Sequence, residues 1–192
     1  MGVNSGWTAI ALAALALCGA GRASAEAAKP RVEVHRSQAG EKNAEGWYPA
    51  TSTRGRFSGL SPIPFNDYTI TIEDPNVGAL TLHGVGSKSA DGMEFGTIET
   101  VRTARQKDVD LRGVIAQVAR KQGAAAPDIR VETIGREEIA RAAFEGSARG
   151  VVMRASKTQE SVFSVICEYP VALAESAKPT CEDYVASFQA GG

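Results

Sequence analysis

Residues 162–167, Val-Phe-Ser-Val-Ile-Cys, carry apolar side chains on both faces if the segment is extended. A strand of that kind needs cover on both sides, whereas a half-exposed strand alternates cleanly. Just upstream, Val151 and Met153 share one face of an extended segment that ends at Lys157 and Thr158. Residues 149–169 therefore read as a β-hairpin whose second arm lies near the middle of a sheet with a layer on either side. The chain has 192 residues, room for one domain with a real core, since domains commonly run about 100 to 150 residues.

The N-terminus points to export. Residues 9–20 form a compact apolar block, short of the roughly 20 residues of a membrane span. Ala23-Ser24-Ala25 follows, the small-x-small pattern after which signal peptidase cuts. The expectation is a signal peptide over residues 1–25, cleavage before Glu26, and a periplasmic or secreted protein. One departure is that no Lys or Arg precedes the block. Cys18 offers an alternative, lipidation and a membrane tether, but Leu17 stands where such a site needs a small residue. Removing residues 1–25 deletes one charged side chain, Arg22, and takes the formal charge from −1 to −2. That near-neutral balance argues against a nucleic-acid partner, which would want a basic stripe.

Two cysteines remain in the mature chain, Cys167 and Cys181. In an oxidising compartment an even pair is expected to be bridged. The loop so closed has about 15 residues, for which the chain-entropy model gives about 3 kcal/mol. The alternative is a buried, apolar-behaving Cys167 and a free thiol at a helix end. Redox catalysis would want a close Cys-x-x-Cys pair, and the sequence has none.

Taken in order, residues 26–45 hold few large apolar side chains beyond Val32 and Val34, and read as a flexible leader. His35, beside Arg36, reads there as a solvated side chain. Order is expected from Trp47 and Tyr48, so the domain is placed at residues 46–190. A short strand over residues 56–60 ends at Pro62 and Pro64, which remove two donors and suit a turn at a sheet edge. Tyr68, Ile70 and Ile72 alternate on one face of the next strand. Residues 79–87 and 93–101 form a hairpin around Asp91-Gly92. Gly84, Gly86 and Gly96 within it suggest bulging or the close approach of another backbone.

Leu111, Val114, Ile115 and Val118 give the one well-specified helix, over residues 109–122. Asp108 is its expected cap, with Arg120 and Lys121 at the negative end of its dipole and Gly123 as its exit. Strands follow at residues 129–134 and 139–144. After the hairpin, residues 171–178 read as a loop into a last helix over residues 181–189, capped by Thr180 with Asp183. Two helices set among antiparallel strands make an α+β fold, an antiparallel β-sheet flanked by helices.

Gly55-Arg56-Phe57-Ser58 before a proline-containing turn, the Gly135-Arg136-Glu137 turn and the closing Tyr184-Val185-Ala186-Ser187-Phe188 segment resemble the PsbP-like superfamily, across residues 47–189. The resemblance implies an α/β/α sandwich and a binding, assembly or adaptor role. It supplies no catalytic residues to carry over.

The residues that could bear chemistry do not assemble into a reaction set. Residues 84–89, Gly-Val-Gly-Ser-Lys-Ser, lack the spacing and the strand-to-helix setting of a phosphate loop. The serine of residues 146–150 is not at the centre of a Gly-x-Ser-x-Gly elbow. His83 points away from Leu80 and Leu82 and could meet Glu94 or Glu99 across the hairpin, but a metal site needs three or four ligands. The adjacent acidic pairs Glu73-Asp74, Glu137-Glu138 and Glu182-Asp183 do not share a face on a strand. Arg102, Arg105 and Lys107 read as a solvated loop, with an acidic docking partner as the alternative. The sequence thus predicts no catalytic, cofactor-binding or metal-ligating residues, a Cys167–Cys181 disulfide, and an exported non-catalytic binding or assembly module for an envelope protein partner or small ligand. The alternatives are a hydrolase or metal-binding enzyme using His83 and a membrane-tethered lipoprotein.

Overall fold

The computed structural model describes residues 30–74, 78–102 and 108–191. In chain order the elements are β1 (Arg31–Ala39), β2 (Tyr48–Thr51), β3 (Phe57–Ser61), β4 (Phe65–Asp74), β5 (Gly78–Lys88), β6 (Glu94–Val101), α1 (Leu111–Lys121), β7 (Arg130–Ile134), β8 (Glu137–Glu145), β9 (Arg149–Lys157), β10 (Ser161–Pro170), a 3-10 turn (Val171–Leu173), α2 (Ala174–Ala186) and β11 (Gln189–Ala190). Eight strands form one antiparallel sheet in the order β1-β4-β5-β6-β10-β9-β8-β7, and β11-β3-β2 form a second, small one. Among the described residues the fold is thus mostly antiparallel sheet with two helices.

β10 sits inside the large sheet, paired with β6 on one side and β9 on the other. Residues 162–167 are all buried, as their two-faced apolar pattern requires. The alternation of β9 sorts the core. Val151, Met153 and Ala155 join α1 through Leu111, Val114, Ile115 and Val118. Val152 joins Phe163, Val165 and Cys167 with α2 through Ala177, Cys181, Tyr184 and Val185. A fully buried large apolar side chain contributes about 1.5–3 kcal/mol, and β10 supplies such residues to both clusters, Val162 and Ile166 to one and Phe163, Val165 and Tyr169 to the other.

Aromatic contacts then hold the small sheet against the large one. Phe163 of β10 lies 6.4 Å from Phe57 of β3 and 5.3 Å from Phe188, ring centre to ring centre. Ser187 Oγ accepts from the Leu60 amide at 2.9 Å, and β11 pairs with β3.

Four expectations need correction. The segment read as a flexible leader contains β1, paired with β4 from Arg31↔Thr71 to Ala39↔Phe65, so the ordered body begins well before residue 46. Composition misses it because β1 is an edge strand held by ladder hydrogen bonds and by Arg36, whose Nη2 lies 3.0 Å from the buried carboxylate of Asp67. The cap residue of α1 is Asp110, not Asp108; Asp108 accepts instead from Lys157 Nζ at 3.0 Å.

The last helix starts at Ala174, so Thr180 and Asp183 lie inside it and cap nothing. Pro179 also lies inside; the burial of Ala177 and Cys181 on either side of it outweighs the penalty of its missing donor. Finally, Gly84 marks no bulge, for β5 pairs with β4 and β6 without a register shift. It lies directly opposite Tyr68, and an added Cβ would come 2.5 Å from the ring. Gly150 and Tyr169 repeat the arrangement across β9 and β10, with Tyr169 Cζ 2.2 Å from the position of an added Cβ. In both places a tyrosine ring covers a glycine on the neighbouring strand.

Gly150→Ala is expected to lower the free energy of unfolding by about 1–3 kcal/mol through overpacking against Tyr169. Ile115→Ala is expected to lower it by about 2–5 kcal/mol through the cavity left under α1. Urea titration of both variants measures these losses.

Candidate functional site

His83 lies on β5, opposite Thr69 of β4 and Glu99 of β6. Its Nδ1 is 3.2 Å from Thr69 Oγ1, which is in turn 2.8 Å from His35 Nε2. His35 is therefore part of the sheet surface and not a free side chain on a leader; only 13% of its side chain is exposed. The neighbouring carboxylates have other duties. Glu99 accepts from the Arg56 amide at 2.6 Å and from Ser161 Oγ at 2.5 Å. Asp67 accepts from the Thr53 amide at 2.8 Å, from Ser52 Oγ at 3.2 Å and from Arg36. Both acids fasten residues 52–56 to the sheet. Among the described residues, no three of His, Cys, Asp and Glu come together as a metal site.

Burial holds the His83 imidazole below the ordinary histidine value; Glu99 and Asp67 pull it back up, and His35 and Arg54 push it further down. Folded His83 thus binds a proton less readily than unfolded His83, so acid favours the unfolded chain. This contribution to stability is intact above about pH 6.5 and declines as the pH falls through and below that value.

Glu94, weighed as a partner for His83, lies on the other face. It stands directly opposite Glu168 of β10, and both are buried. Lys88 Nζ reaches Glu94 at 2.8 Å, and Arg149 lies 3.7 Å from Glu94 and 3.4 Å from Glu168. Gln122, at the end of α1, donates to Glu168 at 3.2 Å. Burial raises the Glu168 carboxyl above the usual range, against the pull of Arg149. Two cations and two anions thus tie β5, β6, β9, β10 and the end of α1 together. Sequence reasoning missed this network because only cross-strand register puts Glu94 beside Glu168.

The other predicted residues are accounted for individually. Cys167 and Cys181 are joined, with Cα atoms 5.3 Å apart, and the bond links β10 to α2. Arg102 donates to the Thr158 carbonyl at 3.2 Å, while Arg105 and Lys107 lie outside the described residues. Glu137 and Glu138 face opposite ways, to Arg154 at 2.8 Å and Lys157 at 3.2 Å. Residues 1–25, with Cys18, also lie outside the described residues.

An open cleft of about 690 Å³ lies between α2 and the outer strands of the sheet. Ala143 of β8 and Val152 of β9 line its floor, Val185 and Ala186 of α2 its wall, and Glu132 and Arg141 its outer rim. Those two charges pair with each other. Next to Met153 on β9, outside the cleft lining, Arg154 pairs with Glu137 and stacks on the Phe188 ring, 4.9 Å from its centre. Burial and the nearby Arg154 charge hold the Arg141 guanidinium below its ordinary value. The cleft follows from strand count: α2 packs on β9 and β10, and β7 and β8 extend beyond it. With small residues on its floor and paired charges at its rim, it can seat an apolar side chain flanked by polar backbone; it offers no nucleophile with a base beside it.

No family model and no curated protein matches the chain. Among solved structures it is similar to the solution structure of cyanobacterial PsbP (CyanoP) from Synechocystis sp. PCC 6803, with a TM-score of 0.49 and 10% sequence identity, over 80% of this chain and 98% of that one.

His83→Gln is expected to flatten the acid side of the stability profile. Urea midpoints measured between pH 7 and pH 5 at constant ionic strength should fall less in the variant than in the parent. An equal fall in both would assign the acid sensitivity to another group.

Proposed function

We propose that this chain is an exported, non-catalytic binding domain, a sheet with a helix on each face, that takes a segment of an envelope protein partner in the cleft between α2 and β8. The observation that carries the reading is the contrast between the two kinds of polar group on the sheet. Asp67, Glu99, Glu94 and Glu168 are buried and engaged in anchoring bonds. The cleft, by comparison, is open and floored by Ala143 and Val152. Clefts of this size, apolar with a few polar groups, are the usual form of a binding site. A hydrolase or metal enzyme built on His83 is the weaker reading, because Thr69 and His35 occupy one side of its imidazole and the nearby acids fasten a loop.

Export is supported by the apolar block with its Ala23-Ser24-Ala25 end and by the Cys167–Cys181 bond, since such bonds persist in oxidising compartments. The mature protein recovered from an exporting host is expected to have an intact mass that begins at Glu26. A mass carrying a diacylglyceryl group on Cys18 would replace this reading by the tethered one.

A photo-crosslinking residue at Ala143, in an envelope extract, is expected to give a discrete adduct that the same residue at Thr81, exposed on β5, does not give. Ala143→Trp, which fills the floor, is expected to suppress capture from a probe at Glu182 by tenfold or more. Equal labelling from Ala143 and Thr81 would remove the cleft from consideration.

A further inference from the structure

The exposed apolar side chains of this protein are concentrated at the sheet margins. Among the described residues the exposed large hydrophobics are Val32, Val34, Val101, Val131 and Ile134, and all but Val101 belong to the two outermost strands, β1 and β7. The two margins differ. β1 breaks register twice, between Val34 and Arg36 and again before Ala39, and Gln38 has a φ of 50°. Such irregularities are a common way to block an edge against further pairing. β7 has neither device: it runs in unbroken register against β8, and all five of its residues are exposed.

The backbone of β7 is set out for a partner. β7 and β8 are joined through Gly135 and Arg136, with Ile134 opposite Glu137 and Gly135 at a φ of 62°. In a two-residue hairpin of this kind the pair flanking the turn is hydrogen-bonded, and the pairs alternate from there. Ile134, Glu132 and Arg130 therefore turn their amides and carbonyls toward β8, and Val131 and Thr133 turn theirs outward. The side chains complete the pattern. Arg130-Val131-Glu132 read against itself in antiparallel order sets arginine opposite glutamate at both ends and valine opposite valine in the middle.

We propose that β7 pairs antiparallel with β7 of a second copy of this chain, centred on Val131. The Val131 amides and carbonyls would exchange two hydrogen bonds. Arg130 would lie opposite Glu132 of the partner subunit, and Glu132 opposite Arg130 of the partner subunit. Opposite charges in direct cross-strand register are favourable and like charges are not. Val131 shares the face of Ala140, its neighbour on β8, and in the pair the two Val131 side chains cover each other on that face. A two-fold contact of this kind closes on itself and does not propagate. The cleft gains its missing side as well, since it is walled by α2 and ends at β7. In the dimer the floor continues into the partner, whose α2 stands as the opposite wall. The pairing goes beyond the cleft reading and is tested separately from it.

Sedimentation equilibrium of the protein up to about 1 mM is the test. Five residues a side make a small interface, so the expected dissociation constant is on the order of 0.1 mM. Arg130→Glu and Glu132→Arg are each expected to weaken the dimer about tenfold, and the double variant to restore it to within about threefold. Val131→Pro removes only an outward amide, so it should abolish the dimer while near-ultraviolet circular dichroism stays as in the parent. A monomer at every concentration, including one that binds an extended segment of some other protein, would overturn the proposal. So would a dimer indifferent to Val131→Pro. Failure of the double variant to recover would also overturn it, because pairing of β7 with β1 of a neighbour sets Glu33 and Arg31 opposite the exchanged charges and cannot be rescued that way.

Discussion

β10 must be kept from water on both of its faces, and most of the architecture follows from that requirement. Its residues alternate between the cluster that contains α1 and the cluster that contains α2, so neither helix could leave without exposing part of the same strand. The ladders to β6 and β9 satisfy its backbone on both sides, as a buried strand demands. Each other feature then has a definable place: the strands spread outward from β10, the buried carboxylates fall into two groups, and the sheet runs out at β1 and β7.

The polar groups of those two sets are bound into the fold. In one, Glu99 and Asp67 hold residues 52–56 and Arg36. In the other, Glu94 and Glu168 share Arg149 with help from Lys88 and Gln122. A buried charge without a partner is strongly unfavourable, and in both clusters each carboxylate has a cation or several donors. Groups held in this way are poorly placed to exchange protons with a substrate. The chemistry that remains open lies where the sheet is least covered, beside α2 and along the outer strands.

How much of this was legible in the sequence depended on how locally each element is determined. The hairpin of β9 and β10 and the stripe of α1 were readable because their apolar periodicity is strong within a few residues. β1 was not, because an edge strand with exposed valines has the composition of a leader, and its place depends on β4 and Asp67. The start of α2 was misjudged because Thr180 with Asp183 imitates a cap, and only the burial of Ala177 and Cys181 shows a helix that begins at Ala174. The third strand of the second sheet, β11, pairs with a strand more than a hundred residues earlier in the chain. The same holds for the candidate site. The environment of His83 was partly anticipated through Glu99, but its link to His35 through Thr69 required the pairing of β1, and the cleft required knowing how many strands α2 leaves uncovered.

The bond between Cys167 and Cys181 has a meaning for the cleft beyond fold stability. It fastens the helix that forms one side of the opening to a buried strand paired on both sides, a few residues from Val185 and Ala186. That side cannot swing out as a flap to admit something bulky, nor fold down over what has entered. A visitor meets a fixed jamb, and selection among visitors rests on fit at first encounter rather than on a later closing motion.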